Sequence, residues 1–386
     1  MKILIVHNDY GAYSGEEAVV DKMALMLAEA GHSVSQLRMS TAGLRDSLKG
    51  KIAAFFSGIY SPAGIRAMHR AIERERPDVI NIHNLFPFIG PAALRECQRA
   101  GIPVVMTVHN YRLICPTGLF MRNGLTCELC LQKNNEWSCI RHNCENSAFK
   151  SIAYAARNFI ARKRRHYLNC VDRFACITRF QRDKLVRAGF PPEKIVIIPN
   201  SIDAPADYQH IKGEYVAYCG RLSHEKGIDL IIEAARRNPD IPFRLAGKVS
   251  DPLLTADLPA NITLSGHLSG DELLDFYRNA RFCILASRCY EGFPMAVLEA
   301  ARFGKPMVAP AHGPFPEIIS GGTNPGGLLF APGDARSLEK NILSLWSDPA
   351  LTATLGQNAF SRLKSRFSSQ AVAPLWCDLI SSLIAH

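Results

Sequence analysis

Two carboxylates frame a short run whose residues could bind a polar ligand. The stretch EGFPMAVLE begins at Glu291 and ends at Glu299. Carboxylates accept hydrogen bonds from hydroxyl groups, although most helical glutamates simply face water. Backbone amides at a helix start can bind phosphate or sugar oxygens, and those of Gly292, Phe293 and Met295 lie between the two carboxylates. The run therefore suits two sets of hydroxyls on one extended ligand, with a diphosphate between them.

A second loop carries the cations that a diphosphate would need. In YVAYCGRLSHEKGIDL we expect a strand to end at Cys219 and a helix to follow Gly227. A loop between a strand and a helix directs backbone N–H groups and the positive end of the helix dipole at a bound anion. Arg221 adds a forked cation and Lys226 a point charge. The residue order is not that of a Walker A loop, and a solvated basic loop is the plain alternative.

Both loops belong to an alternation of β-branched strands and helices, which is typical of an α/β fold with parallel sheets. Strands are predicted in the first half at KILIVH, HSVSQLRM, DVINIH, PVVMTVH, RFACIT and KIVIIP. In the second half they are predicted at YVAYC, PFRLAG, NITLSG, FCILAS and PMVAP. Pro294 should open the helix after FCILAS, because proline is tolerated in the first helical turn.

The pattern loosens at PNSIDAPADY, where we expect the boundary between two domains. A chain of 386 residues suits two domains of ordinary size. Residues 1–200 should form an N-terminal Rossmann-like domain with an insertion at 111–147. Residues 201–386 should form a second such domain, and its last helix could pack back on the first domain. Open parallel sheets bind ligands at the carboxyl ends of their strands, so the site is expected in a cleft between two doubly wound sheets.

The motif GRLSHEKGID, followed further along by EGFPMAVLEA, resembles the retaining glycosyltransferases of family 4, which have the GT-B fold. The likeness extends to SGEEAVV near the N-terminus, TVHN at a strand end and PNSID at the expected boundary. A subset of such enzymes has a similar Cys-rich insertion. The resemblance implies a glycosyltransferase in which two Rossmann-like domains face a cleft. The N-terminal domain (1–200) would be acceptor-binding, and the C-terminal domain (201–386) would be donor-binding, with a nucleotide sugar as the donor.

The resemblance also implies roles for individual residues. Arg221 and Lys226 would bind the diphosphate of a nucleotide-sugar donor. Glu291 would meet the donor sugar, Glu299 the ribose, and His109 would lie near the transferred sugar. The implied catalytic residues are therefore His109, Arg221, Lys226 and Glu291. The implied donor-binding residues are Gly15, Gly220, Arg221, Lys226, Glu291, Gly292, Phe293, Pro294, Met295, Leu298 and Glu299.

Two positions depart from the family pattern. Ser14 precedes Gly15 where many relatives have two adjacent glycines, so the contact made by this glycine loop is open. Asn110 follows His109 where some relatives have His-Asp. Without the resemblance, His109 would be interpreted as an ordinary core histidine.

The implied reaction transfers a hexose-type sugar from a UDP- or GDP-sugar to an acceptor hydroxyl, with retention at the anomeric carbon. The resemblance implies front-face attack, and a covalent intermediate stays open. Arg221, Lys226 and the helix start would stabilise the charge of the leaving diphosphate. The chain contains no D-x-D, which fits a reaction without a catalytic metal. The expected acceptor is a glycan or a lipid-linked molecule of bacterial polysaccharide, lipopolysaccharide or glycolipid assembly.

Five of the twelve cysteines lie between 115 and 144. Cys127 and Cys130 form a C-x-x-C pair, Cys139 and Cys144 form a looser pair, and Cys115 is a spare candidate. Thiolates at this spacing suit a tetrahedral structural zinc, which would hold together an insertion without a core of its own. Reduced thiols in a loop are an equal alternative. Disulfides are disfavoured because the N-terminus is not that of a signal peptide.

The charge is unevenly distributed. Residues 1–200 carry 28 Lys and Arg against 16 Asp and Glu, and residues 201–386 carry 17 against 19, so net charges of +12 and −2 give the total of +10. The basic half should face an anionic partner. The stretch ARNFIARKRRHYL could lie on an anionic membrane surface, with a solvated basic face as the alternative. We therefore expect a cytoplasmic protein that could be peripheral on the inner face of the membrane.

Other functions fit the sequence less well. A GT-B-type sugar-nucleotide epimerase or phosphorylase would use the same site without an acceptor alcohol. A nucleic-acid-binding module would account for the basic charge and the thiols, but not for a diphosphate site, and no nucleic-acid partner is expected. A dinucleotide dehydrogenase is disfavoured because no G-x-G-x-x-G follows the first strand.

Overall fold

The computed structural model describes residues 1–9, 15–40, 57–208 and 211–384. The strands in chain order are β1 (Lys2–Asp9), β2 (Ser33–Ser40), β3 (Val79–Ile82), β4 (Val104–Val108), β5 (Met121–Arg122), β6 (Leu125–Thr126), β7 (Arg173–Cys176), β8 (Ile195–Ile197), β9 (Tyr215–Cys219), β10 (Phe243–Ala246), β11 (Ile262–Gly266), β12 (Ala280–Ile284), β13 (Met307–Pro310) and β14 (Gly327–Phe330).

Helices alternate with these strands, as the sequence pattern predicts. In chain order they are α1 (Gly15–Glu29), α2 (Pro62–Glu75), α3 (Leu94–Arg99), α4 (Leu129–Gln132), α5 (Trp137–Arg141), α6 (Ala148–Lys163), α7 (His166–Cys170), α8 (Arg179–Arg187), α9 (Ile228–Arg237), α10 (Gly270–Arg278), α11 (Met295–Arg302), α12 (Ala335–Ser347), α13 (Pro349–Arg362) and α14 (Ser369–Ile384).

The chain forms two compact units. The first comprises Met1–Leu119, Glu128–Asn200 and Val372–His386, and the second comprises Phe120–Cys127 and Ser201–Ala371. A short segment of the Cys-rich insertion thus belongs to the second unit, and most of the last helix belongs to the first.

The first unit is built on a six-stranded sheet in the order β2-β1-β3-β4-β7-β8. All its neighbouring strands are parallel. On one face, Ile3 and Ile5 of β1 pack with Val20 of α1 and with Trp376 and Ile380 of α14 in one buried cluster. The apolar side chains of α14 therefore complete the core of this sheet.

The second unit has a six-stranded parallel sheet in the order β11-β10-β9-β12-β13-β14. The prediction of an α/β fold with two parallel sheets is confirmed. Sequence reasoning missed β14, because Gly326, which precedes it, and Gly327, its first residue, favour a turn over a strand. Here a Cβ on Gly327 would lie 1.9 Å from the carbonyl oxygen of Met307, so the close approach of β14 to β13 needs a glycine.

Long apolar helices are missing from the described ranges. None of the helices there has both the length and the apolar character that a bilayer crossing needs.

Candidate active site

The loop after β9 is fixed by its backbone. The N–H of Gly220 donates to the carbonyl oxygen of Ala246 at 2.9 Å. Gly227 has a φ of +69°, and a Cβ there would lie 2.0 Å from the carbonyl oxygen of Ala286. Only glycine lets the loop pass so close to the segment after β12, and this approach places Lys226 beside that segment.

Lys226 and Glu291 form an ion pair at this point. The Lys226 Nζ lies 2.5 Å from Oε1 of Glu291, and the two side chains are 22% and 13% exposed. The Ser287 hydroxyl donates to the same carboxylate. Burial alone would lower the pKa of Lys226 and raise that of Glu291, but their mutual attraction outweighs it, so the pKa of Lys226 is raised and that of Glu291 is lowered. Both groups are therefore charged at neutral pH.

Arg221 is the more accessible cation of the loop. Its side chain is 53% exposed and lies 2.5 Å from Oε1 of Glu225, while the Tyr218 hydroxyl donates to its carbonyl oxygen at 2.9 Å. Burial tends to raise the pKa of Glu225, but the neighbouring Ser223 hydroxyl and the charge of Arg221 lower it. The guanidinium has five N–H donors, so this contact orients Arg221 while leaving it able to bind a second anion.

Glu299 lies on α11 with a different partner. The Tyr277 hydroxyl donates to its Oε2 at 2.7 Å. Burial raises the pKa of Glu299, and the hydrogen bond from Tyr277 opposes that rise. Burial and then the charge of Glu299 raise the pKa of the Cys219 thiol, at the end of β9, to about 12. Glu291 and Glu299 thus sit in separate polar environments, and the structure brings only Glu291 to Lys226.

The start of α11 differs from the prediction by one residue. The helix begins at Met295, and Pro294 is its N-cap with φ −71° and ψ 112°. Phe293 and Leu298 are buried, and the Phe293 ring packs 5.5 Å from that of Phe367. Because these two side chains belong to the core, a ligand at Gly292–Met295 would meet mainly the backbone.

Several residues near the site escaped sequence reasoning. The Tyr290 ring lies 5.9 Å from that of Phe120 and 5.6 Å from that of His312. Phe120 precedes the β5–β6 hairpin of the Cys-rich insertion. Gly124 lies in the turn of this hairpin, and a Cβ on it would lie 3.2 Å from Nε2 of His224. Tyr290 could have been found as the neighbour of Glu291. Phe120, Tyr277 and His312 are remote in sequence and leave no local signal.

In the first unit, His109 pairs with a second histidine. His83 follows β3 and His109 follows β4, and Nδ1 of His83 lies 2.7 Å from Nε2 of His109. The rings are stacked, with centroids 5.0 Å apart. Burial lowers the pKa of His109 to about 4, and burial followed by the charge of His109 holds the pKa of His83 well below its usual value. Two neutral imidazoles therefore share one hydrogen bond at the carboxyl edge of this sheet.

Gly15 opens α1 and is exposed. Residues 10–14, which include Ser14 of the expected glycine loop, lie outside the described residues. A Cβ on Gly15 would meet nothing within 4 Å, so the surroundings described give no steric reason for glycine there. Any reason must come from a ligand or from the adjoining residues.

The cysteines expected to bind zinc are divided between the units. Cys127 belongs to the second unit, and Cys130, Cys139 and Cys144 belong to the first. A hydrogen bond with Cys144, followed by burial, raises the pKa of Cys139.

These cysteines do not form a compact ligand set. In the described part of the chain, three or more His, Cys, Asp or Glu ligand atoms lie within 4.8 Å of one another only at His7, Asp9 and Glu17. The zinc site therefore stays a prediction.

Comparisons with known proteins agree with this architecture. The family model "Glycosyltransferase Family 4" matches residues 13–204, and "Glycosyl transferases group 1" matches residues 205–362. A structure of Anabaena HepE (Alr3699), solved with UDP and glucose, superposes with a TM-score of 0.70 at 17% identity, over 99% of this chain and 100% of that one. This likeness confirms the GT-B fold.

Two curated relatives align with about half of the chain. An uncharacterised glycosyltransferase of Methanocaldococcus jannaschii is 28% identical over 193 residues, which are 48% of this chain and 53% of that protein. The lipopolysaccharide core biosynthesis mannosyltransferase LpsB of Rhizobium meliloti is 27% identical over 186 residues, which are 44% and 52%. The two family models together span nearly the whole chain, and the chain therefore belongs to the group 1, family 4 glycosyltransferases of the GT-B fold.

Proposed function

We propose that the protein transfers a hexose-type sugar from a nucleotide diphosphate sugar to an acceptor hydroxyl with retention at the anomeric carbon. The observation that carries this proposal is the partly buried Lys226–Glu291 ion pair. It joins the two loops that sequence reasoning assigned to the diphosphate and the sugar. A solvated basic loop and a surface glutamate would have no reason to meet in this way.

In this proposal Lys226 and Arg221 stabilise the leaving diphosphate. An ammonium carries three N–H donors, and the contact with Glu291 uses one of them, so Lys226 can bind a phosphate oxygen without leaving the pair. Arg221 is held by Glu225 and adds a forked contact. Because both cations are fixed before the reaction, little reorganisation is needed when negative charge develops on the leaving group.

The carboxylates have different tasks in this proposal. Glu291 is ionised and accepts from hydroxyls of the donor sugar, while Glu299 accepts from the ribose. Tyr277 already donates to one oxygen of Glu299, which orients the carboxylate and leaves acceptor capacity on the other oxygen. The neutral His109 and the backbone of Gly15 would contact the transferred sugar or the acceptor. No step in this scheme requires a metal ion.

The comparisons support the donor and acceptor classes proposed here. HepE was crystallised with UDP and with UDP-glucose, and LpsB is named for lipopolysaccharide core biosynthesis. We therefore propose a UDP- or GDP-sugar donor, and a glycan or lipid-linked acceptor of cell-surface polysaccharide or glycolipid assembly. The reaction would take place in the cytoplasm, and the Cys-rich insertion could be held by a structural zinc.

A thermal-shift panel with UDP, GDP, ADP and their glucose and mannose conjugates tests the donor site. A ligand at a hundred times its Kd should stabilise the protein by about 2.7 kcal/mol. We expect stabilisation by uridine or guanosine ligands alone. Glu299→Gln should weaken it, and Glu272→Gln, a change of an exposed carboxylate on α10, should not. Equal shifts with all bases would contradict the proposed donor class, and no effect of Glu299→Gln would contradict the assignment of the ribose.

A further inference from the structure

Helix α6 is turned with its large apolar side chains outward. Phe149, Ile152 and Phe159 are 53%, 46% and 43% exposed. Their spacing of three, seven and ten residues places them on one side of the helix. The buried residues of α6 are Ser151, Ala153, Ala155, Arg157, Asn158 and Ala161, of which four are small and none is a large apolar residue. This arrangement reverses the usual one, in which large apolar residues are buried.

An exposed tryptophan extends this surface. Trp137 opens α5 and is 71% exposed. Its neighbour Glu136 holds Arg162 of α6 through two hydrogen bonds of 3.0 and 2.9 Å. The guanidinium of Arg162 lies 5.8 Å from the centre of the Phe159 ring. Trp137 and the outward face of α6 are therefore tied together, and below we call Trp137, Phe149, Ile152 and Phe159 the apolar face.

Exposed cations accompany the apolar face along the chain, and below we call them the basic rim. The exposed basic residues between 137 and 165 are Arg141, Lys150, Arg162, Lys163, Arg164 and Arg165. The same stretch contains one acidic residue, Glu145, and burial raises the pKa of its carboxyl group. The Lys163 Nζ lies 5.8 Å from the centre of the Phe159 ring. Aromatic and aliphatic groups rimmed by lysine and arginine complement a surface that is apolar inside and negatively charged outside.

We propose that the apolar face and its basic rim dock the protein on a lipid bilayer that contains anionic lipids. Phe149, Ile152 and Phe159 would enter the boundary between headgroups and acyl chains, and Trp137 would sit at headgroup level, as tryptophans do at membrane interfaces. The basic rim would bind lipid phosphates. This inference uses the first unit alone and does not depend on the proposed transfer reaction, although it would bring a lipid-linked acceptor to the enzyme.

The test is flotation of the purified protein with vesicles of phosphatidylcholine alone and with vesicles containing about one third phosphatidylglycerol. We expect binding to the anionic vesicles and little binding to the neutral ones. Salt should weaken the binding, because it screens the attraction between the basic rim and the lipid phosphates. Trp137 emission should shift to the blue on binding, and Trp137→Phe should remove that shift. Failure of the wild-type protein to bind anionic vesicles would overturn the proposal.

Matched variants distinguish vesicle binding through the apolar face from nonspecific hydrophobic adsorption. We expect the triple change Phe149→Ser, Ile152→Ser, Phe159→Ser to lower vesicle affinity at least tenfold. Leu25→Ser, which alters an exposed leucine on α1, should leave it unchanged. The pair Arg164→Gln, Arg165→Gln should reduce binding, whereas Arg66→Gln, Arg70→Gln on α2 should not. Equal binding by the triple variant would overturn the proposal.

Two further measurements test whether the apolar face binds a second copy of the chain instead of a bilayer. The triple variant should melt normally and keep its nucleotide-dependent thermal shift, because neither depends on exposed side chains of α6. Sedimentation without vesicles should give the same mass for the wild-type and triple variant proteins. A wild-type dimer that the triple change dissociates would assign the face to a second copy of the chain and overturn the membrane proposal.

Discussion

Lys226→Met should lower kcat by about 10²–10³-fold, the loss that follows removal of one fixed donor to a developing anion. The variant keeps a side chain of similar length but removes the charge that the leaving diphosphate would meet. Glu291 would also lose the partner that lies 2.5 Å away, so the sugar-binding carboxylate would be less well oriented. Steady-state release of nucleoside diphosphate measures the effect.

A matched lysine in the same unit shows whether the loss concerns chemistry or folding. Lys305 is 2% exposed and donates to the carbonyl oxygen of Ile211 at 2.7 Å. Lys305→Met should therefore destabilise the unit but leave kcat per folded molecule nearly unchanged. A kcat for Lys226→Met within threefold of wild type would contradict the assignment of Lys226 to the diphosphate site, whatever the effect of the substitution on stability.

Gly227→Ala should have the second large effect, because it acts on the position of Lys226 through the backbone. A methyl group there would lie 2.0 Å from the carbonyl oxygen of Ala286. We expect a loss of about 1–2 kcal/mol from the left-handed conformation and a further loss of about 1–3 kcal/mol from overpacking. Chemical denaturation measures the stability, and the nucleotide-dependent thermal shift should fall as the loop moves.

Gly266→Ala is the control for Gly227→Ala. Gly266 has the same φ of +69°, but a Cβ there would meet nothing within 4 Å. Gly266→Ala should show only the loss of stability that comes from the left-handed conformation, and the variant should still bind nucleotides. Equal stability and equal binding in the two variants would mean that the close contact with Ala286 does not set the position of the loop.

The sequence predicted the repeating elements of both sheets because β-branched strands and helical periods are local signals. The loops around Arg221 and Glu291 could likewise be predicted, since glycine, proline and charge stand next to each other in the chain. The pairing of Lys226 with Glu291 joins residues 65 positions apart. Periodicity gives no information on such a contact, and the family resemblance assigned both residues to the donor without pairing them.

Other features depend on tertiary packing and had no local signal. Gly326 and Gly327 favoured a turn, yet packing against β13 makes Gly327 the first residue of a strand. Tyr277 meets Glu299 across 22 positions. Phe120–Cys127 belongs to the second unit, where the Phe120 ring packs 5.9 Å from that of Tyr290, a residue far away in the chain. The outward orientation of the large apolar side chains of α6 could also be recognised only in the structure, because the composition of the helix is that of an ordinary amphipathic helix.

The most direct test of the central claim is the configuration of the first sugar released from a nucleotide-α-sugar. Proton NMR can follow the slow transfer of glucose from UDP-glucose to water, or of mannose from GDP-mannose, before the anomers equilibrate. Retention through the Arg221, Lys226 and Glu291 site predicts that the α anomer appears first and that Lys226→Met suppresses its release. First appearance of the β anomer, or unchanged release by the variant, would contradict the account.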